Sequence, residues 1–177
     1  AALGGMGSSF MIVYAKETYS ITGSQVGDLT ALLIGSQAAA NLLWGYVGDR
    51  LGHKAVLATG AACLALATAT IWLGDAWGWL WGGFSLLGIG LAANAVSGMN
   101  IVLEFGHPKD RPTYIGLTNT SLAPITMLAP LVGGWLSERL GFATMFMTAT
   151  IVSALGSALL SLWFREPRRL ELPEPIS

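Results

Sequence analysis

Five apolar stretches of about twenty residues or more succeed one another along this 177-residue chain, at about 28–48, 53–74, 77–104, 113–136 and 142–164, with the charges gathered at their ends and in the gaps between them. Crossing a hydrocarbon core needs ~20 apolar residues in a helix. In lipid only a helix or a closed barrel satisfies the backbone, and runs of this length fit helices. Composition agrees: 53% of the residues are hydrophobic and 11% charged, where a soluble domain carries about 25% charge. The expected fold class is all-α, a polytopic membrane protein. A sixth apolar stretch, about 1–15, is shorter and runs into the polar segment KETYSITGSQVGD. It lacks a basic start and an initiator Met, so a signal peptide is not expected. It is expected to be a helix cut within its span. The domain reading is a six-helix bundle over 1–164 followed by a tail over 165–177.

Charge placement sets the orientation. Basic residues near span ends stay on the cytoplasmic side, and one set of alternating gaps holds Arg50, Lys54, Lys109, Arg111, Arg165, Arg168 and Arg169, the other only Lys16 and Arg139. The C-terminus is therefore expected in the cytoplasm. Trp72, Trp77, Trp79 and Trp81 gather around the Lys-free turn at Asp75, and Trp163 and Phe164 close the last span, at the depths amphipathic rings prefer. A net charge of −1 argues against a nucleic-acid partner. Cys63 stands alone in an apolar span, so neither a disulfide framework nor a zinc site is available. No metal or cofactor is expected.

The chain also repeats itself. Residues 45–52 read GYVGDRLG and residues 134–141 read GWLSERLG, 89 residues apart. That offset is three spans, and an odd number of spans puts the copies on opposite membrane faces. The bundle is thus expected to consist of two inverted three-helix repeats, an organisation secondary transporters use. Chance similarity between two glycine-rich helix ends is the alternative.

The segment Gly45-Tyr46-Val47-Gly48-Asp49-Arg50-Leu51-Gly52-His53-Lys54 resembles the loop motif of the major facilitator superfamily, Gly-x-Leu-x-Asp-Arg-x-Gly-Arg-Lys, with His53 in place of the usual Arg. Glu104 to Arg111 is similar to that family's Glu-x6-Arg pattern at the end of the fourth helix of a half. Pro130-Leu-Val-Gly133-Gly134 resembles its Pro-x-x-Gly-Gly near the end of the fifth. The resemblance covers essentially the whole chain and implies the C-terminal half, helices seven to twelve, with the start of helix seven missing. It further implies an N-terminal six-helix half as partner.

The candidate site residues fall into two groups. Gly48 and Gly52 permit a tight reversal, and Asp49 can cap a helix N-terminus or pair with Arg. The resemblance implies that Asp49 and Arg50 join Glu104 and Arg111 in a network that latches the cytoplasmic side. Gly45, Asp49, Arg50, Gly52, Lys54, Glu104 and Arg111 are the gate candidates, and interfacial anchoring is the competing reading. The second group comprises uncharged polar residues within spans, where their cost marks them as functional or as interhelical bonds. Gln37, Asn41 and Trp44 recur at i, i+4 and i+7, one helical stripe. Asn94 and Ser97 lie on the fourth span, with Asn100 beyond, and Asn119 and Ser121 on the fifth, with Thr126 deeper. By the resemblance these helices line a central cavity, and Gln37, Asn41, Asn94, Ser97, Asn119 and Ser121 are the candidates for substrate contact. Gly88, Gly90, Ala92 and Gly98 read as close helix contacts. His53 and His107 are expected in cytoplasmic loops, and no span holds a charge near its middle.

The expected function is transport of a small solute across a bacterial inner membrane by alternating access, with the lipid bilayer as surroundings. Membrane enzyme is the second class, and no span carries a His–carboxylate, Ser/His or metal-ligand constellation for it. A channel or a non-transporting scaffold is the third.

Overall fold

The computed structural model describes residues 5–104 and 111–162, with side chains omitted for 5–9, 99, 101–104 and 111. The tail 165–177, the loop with His107 and Lys109, and the Trp163–Phe164 pair lie outside the described residues. Every described element is helical: α1 (Gly5–Tyr19), α2 (Gly23–Leu51), α3 (His53–Leu73), α4 (Gly78–Glu104) and the run Arg111–Leu162. That run is broken at Gly141, whose φ of 84° and ψ of 162° are not helical, leaving α5 (111–140) and α6 (142–162). Among the described residues α2, α3, α4 over Gly78–Gly98 and the run Pro112–Leu162 are long and apolar enough to cross a membrane.

The polar segment after α1 is less of a loop than its composition suggested. Helix α1 runs on past Lys16 to Tyr19, and α2 begins at Gly23 rather than near 28. The reason is a capping box. Thr22 Oγ1 accepts from the Gln25 amide at 3.4 Å, and Gln25 Oε1 accepts from the Thr22 amide at 2.9 Å. Ser20 takes the turn in a left-handed conformation, φ 49°. Only three residues separate the helices.

Helix α4 packs against both α2 and α3, while α1 and α3 pack against the α5–α6 run. Close approach through small residues makes this possible. A Cβ on Gly88 would meet Ser36 Oγ and the Leu33 carbonyl of α2. One on Gly90 would lie 2.8 Å from the Leu64 side chain and 2.9 Å from the Gly60 carbonyl of α3. Gly98 has open space around it and is not part of this contact. The larger core joins Met11 and Ala15 of α1, Leu29 of α2, Leu64, Ala67 and Ile71 of α3, Leu80, Phe84 and Leu87 of α4, and Met145 and Phe146 of α6. A smaller one at the other end holds Ala40, Trp44, Val56, Ala92 and Ala93.

Between α3 and α6 the contact is polar. Thr68 and Thr150 share a hydroxyl hydrogen bond of 2.8 Å, Ser157 Oγ donates to the Ala58 carbonyl at 2.8 Å, and Lys54 Nζ donates to the Ser161 carbonyl at 3.2 Å. The partner numbers fall along α3 as they rise along α6, so the helices are antiparallel. Elements three apart that run in opposite directions are what an inverted repeat demands.

The repeat is visible residue by residue. Gly52 (φ 92°, ψ 151°) and Gly141 (φ 84°, ψ 162°) are the positive-φ glycines among the described residues, and they occupy the same place in the two copies. Both conformations lie in a region open essentially to glycine alone. Burial matches as well at the 89-residue offset: Ala40 with Ala129, Val56 with Met145 and Gly60 with Ala149 are buried. Tyr46 with Trp135 and Leu42 with Leu131 are exposed.

Candidate functional site

The first candidate site is the joint between α2 and α3. Helix α2 ends at Leu51, Gly52 donates its amide to the Gly48 carbonyl at 3.0 Å, and α3 starts at His53. One residue makes the whole reversal. The two glycines have different tasks. Gly52 supplies the backbone angle, whereas Gly48 makes room, since a Cβ there would sit 2.8 Å from His53 Nδ1. A Cβ on Gly45 meets nothing within 4 Å.

His53 is not in a loop. It opens α3, is 5% exposed, and its Nδ1 lies 3.0 Å from the hydroxyl of Ser97, itself fully buried. The imidazole thereby ties α2, α3 and α4 together beneath the charged turn. Sequence alone misplaces it because a histidine in a charged stretch looks solvated. The available signal was its place directly after the positive-φ glycine, where the next helix must start.

Asp49 lies in the last turn of α2 rather than at the cap of α3, which is Gly52 and carries no side-chain cap bond. The C-terminus of α2 disfavours an anion and the N-terminus of α3 favours one, so local helix electrostatics do not account for a carboxylate here. Arg50 sits with its guanidinium 4.5 Å from the Tyr46 ring centroid, a cation–π contact. Both charged groups are exposed. Lys54 turns away towards Ser161 at the end of α6, where a cation suits the helix terminus. Glu104 ends α4 and Arg111 opens α5, and their side chains lie outside the described residues.

The second candidate site is the polar set within the spans, and the structure divides it. Trp44 leaves the expected stripe: it is buried, and its Nε1 donates to the Ile89 carbonyl of α4 at 2.9 Å. Ser97 is occupied by His53. Asn94 donates back to the Gly90 carbonyl at 3.2 Å and Asn100 to Val96 at 2.8 Å, each within its own helix. Thr126 likewise donates to Leu122 and Ala123. Gln37 is half-buried, Asn41, Asn119 and Ser121 are exposed, and none of these four side chains has a hydrogen bond among the described residues.

These four lie on α2 and α5, both of which expose large apolar side chains. Between 112 and 132 only Ala129 is buried. Pro124 and Pro130 lie inside α5 and have no N–H to give, so the carbonyls of Thr120 and Thr126 lose their usual helical donor. In a bilayer such groups must face protein or a wet cavity.

A family model described as the Major Facilitator Superfamily matches residues 1–175. The chain is 27% identical over 160 residues to the "Minor myo-inositol transporter IolF" of Bacillus subtilis (strain 168), covering 86% of this chain and 36% of that protein. It is 26% identical over 169 residues to the "Multi-drug resistance efflux pump PmrA homolog" of Lactococcus lactis subsp. lactis (strain IL1403), covering 90% and 41%. It is 26% identical over 162 residues to the "Inner membrane transport protein YajR" of Escherichia coli (strain K12), covering 87% and 34%. The chain therefore spans well under half the length of these relatives.

Proposed function

From a chain that belongs to the Major Facilitator Superfamily, we propose a C-terminal six-helix half of a secondary transporter that moves a small solute by alternating access. The observation that carries this reading is the pairing of α2 and α5. These symmetry-related helices each expose an apolar face with uncharged polar side chains on it, Gln37 and Asn41 on one, Asn119 and Ser121 on the other. Two such faces need a second bundle to cover them, and a midplane site between repeat-related bundles is the usual transporter arrangement. The N-terminal half of the same transporter is the proposed partner.

The substrate contacts proposed are Gln37, Asn41, Asn119 and Ser121, whose donors and acceptors have no other use among the described residues. Hydrogen-bonding groups without charge suit a neutral polar or lipophilic solute. The relatives' names, an inositol transporter and an efflux pump, include both kinds. Asn94, bonded to the Gly90 carbonyl, and Ser97, bonded to His53, are not among the proposed contacts. The gate proposed is the exposed pair Asp49 and Arg50 with Glu104 and Arg111, on the cytoplasmic side of a bacterial inner membrane. The positive-inside distribution supports that orientation, with the C-terminus in the cytoplasm. Lys54 serves as a strut to α6.

Reconstitution of the full-length protein in liposomes tests the reading. Saturable counterflow of a neutral solute, weakened at least tenfold in kcat/KM by Asn41→Ala or Asn119→Ala, is expected. Flux that rises linearly with concentration would mark a pore, and absence of flux with every solute class would mark a scaffold.

A further inference from the structure

The second copy of the repeat carries its own acid–base pair, to which the transport reading assigns no role. Glu138 and Arg139 stand where Asp49 and Arg50 stand in the first copy, just before the positive-φ glycine. The exposure pattern ahead of the glycine is similar in the two copies. Trp135 is 59% exposed where Tyr46 is 57%, Leu131 is 62% exposed where Leu42 is 81%, and both charged residues are exposed in both copies. Within the described residues neither Glu138 nor Arg139 has an ion pair or hydrogen bond. The antiparallel course of α3 and α6 puts the two joints at opposite ends of the bundle.

We propose that Glu138 and Arg139 form a second charge latch, on the non-cytoplasmic face, which engages the opposite bundle when the cytoplasmic side opens. This rests on the alternating-access reading. Two observations favour it over a lipid anchor. The positive-inside rule explains a lone basic residue on the inner face, not an acid–base pair on the outer one. The pair closes α5 just before Gly141, whose angles suit glycine alone, as Asp49 and Arg50 close α2 just before Gly52. An opposite bundle that engages the pair must offer an acid to Arg139. A two-state carrier with a latch at one end only would be biased to one state, whereas latches at both ends oppose each other.

The experiment uses the full-length transporter with Cys63→Ala as background and one added cysteine. Leu131→Cys reports the outer side and Leu42→Cys the inner, each seven residues before its charged pair. Labelling by a membrane-impermeant maleimide is measured in right-side-out and inside-out vesicles. Glu138→Gln and Arg139→Gln should each raise labelling at position 131 at least about threefold, the scale of a modest ion pair, and lower it at position 42. Asp49→Asn should do the reverse, and Glu138→Asp should stay close to the parent. If Asp49→Asn shifts the balance and neither outer variant does, the outer latch is wrong while the carrier reading stands. If no variant shifts it and no saturable transport is found, the carrier reading falls and takes the latch with it.

Discussion

Gly52 and Gly141 hold backbone angles that a side chain cannot adopt without strain, and this separates them from the other glycines of the repeat. Replacing either with Ala should cost about 1–3 kcal/mol and lower the unfolding midpoint in detergent. Gly45→Ala, in open space within a helix, should be neutral or stabilising by up to ~1 kcal/mol. Gly48 poses a different problem, because its space is filled by His53. Gly48→Ala should therefore destabilise the parent but cost little in a His53→Ala background, a coupling that a double-mutant cycle on unfolding midpoints would read. The sequence pointed to this joint through its glycines and charges. It did not reveal that the two glycines do separate jobs, since one depends on a backbone angle and the other on where a neighbouring ring lies. His53 and Ser97 illustrate the same limit. Residue type marked one as a loop residue and the other as a cavity hydroxyl, and only their 3.0 Å contact shows that they satisfy each other.

At the scale of helices, α3 and α6 form a seam of hydroxyls and small residues. Ser157 bonds across it, whereas Ser153 is fully buried with no partner for its hydroxyl among the described residues. Interhelical hydrogen bonds in membranes are worth roughly 0.6 kcal/mol on average. Ser157→Ala should thus destabilise by about that amount, and Ser153→Ala should be neutral or slightly stabilising because it removes an unmet polar group. Chemical unfolding of the two variants side by side checks the contrast. Helix positions were largely legible from hydropathy alone, because lipid forces long uninterrupted spans. The first turn was not. Its polar residues read as loop, while the Thr22-x-x-Gln25 spacing was a capping box that extends helix through them. Which face of each helix turns inward was also hidden, as the faces of a lipid-exposed helix differ little in polarity. Trp44 turned towards α4 for that reason.

On the scale of the whole molecule, α5 and α2 both expose apolar faces, and the proposed reading has a second bundle cover them. On that reading, transport assayed with these 177 residues alone should give no saturable flux, and a carrier that adds the proposed N-terminal half should restore it under the same conditions.

A joint of one residue has no slack, and that limits how the chain can change in length. Each residue added to a continuous helix rotates the remainder by about 100° and advances it about 1.5 Å, so an insertion at Gly52 or Gly141 cannot be absorbed as it would be in a loop. It would swing His53 away from Ser97, or Phe142 and Phe146 off the Tyr14 ring of α1 that both meet edge-on. The turn at 74–77 has non-helical residues that can take up such a change. Epitope tags, fluorophore sites and split points therefore belong at that turn. The two glycine joints should behave as fixed points of the numbering, where substitutions accumulate and insertions or deletions do not.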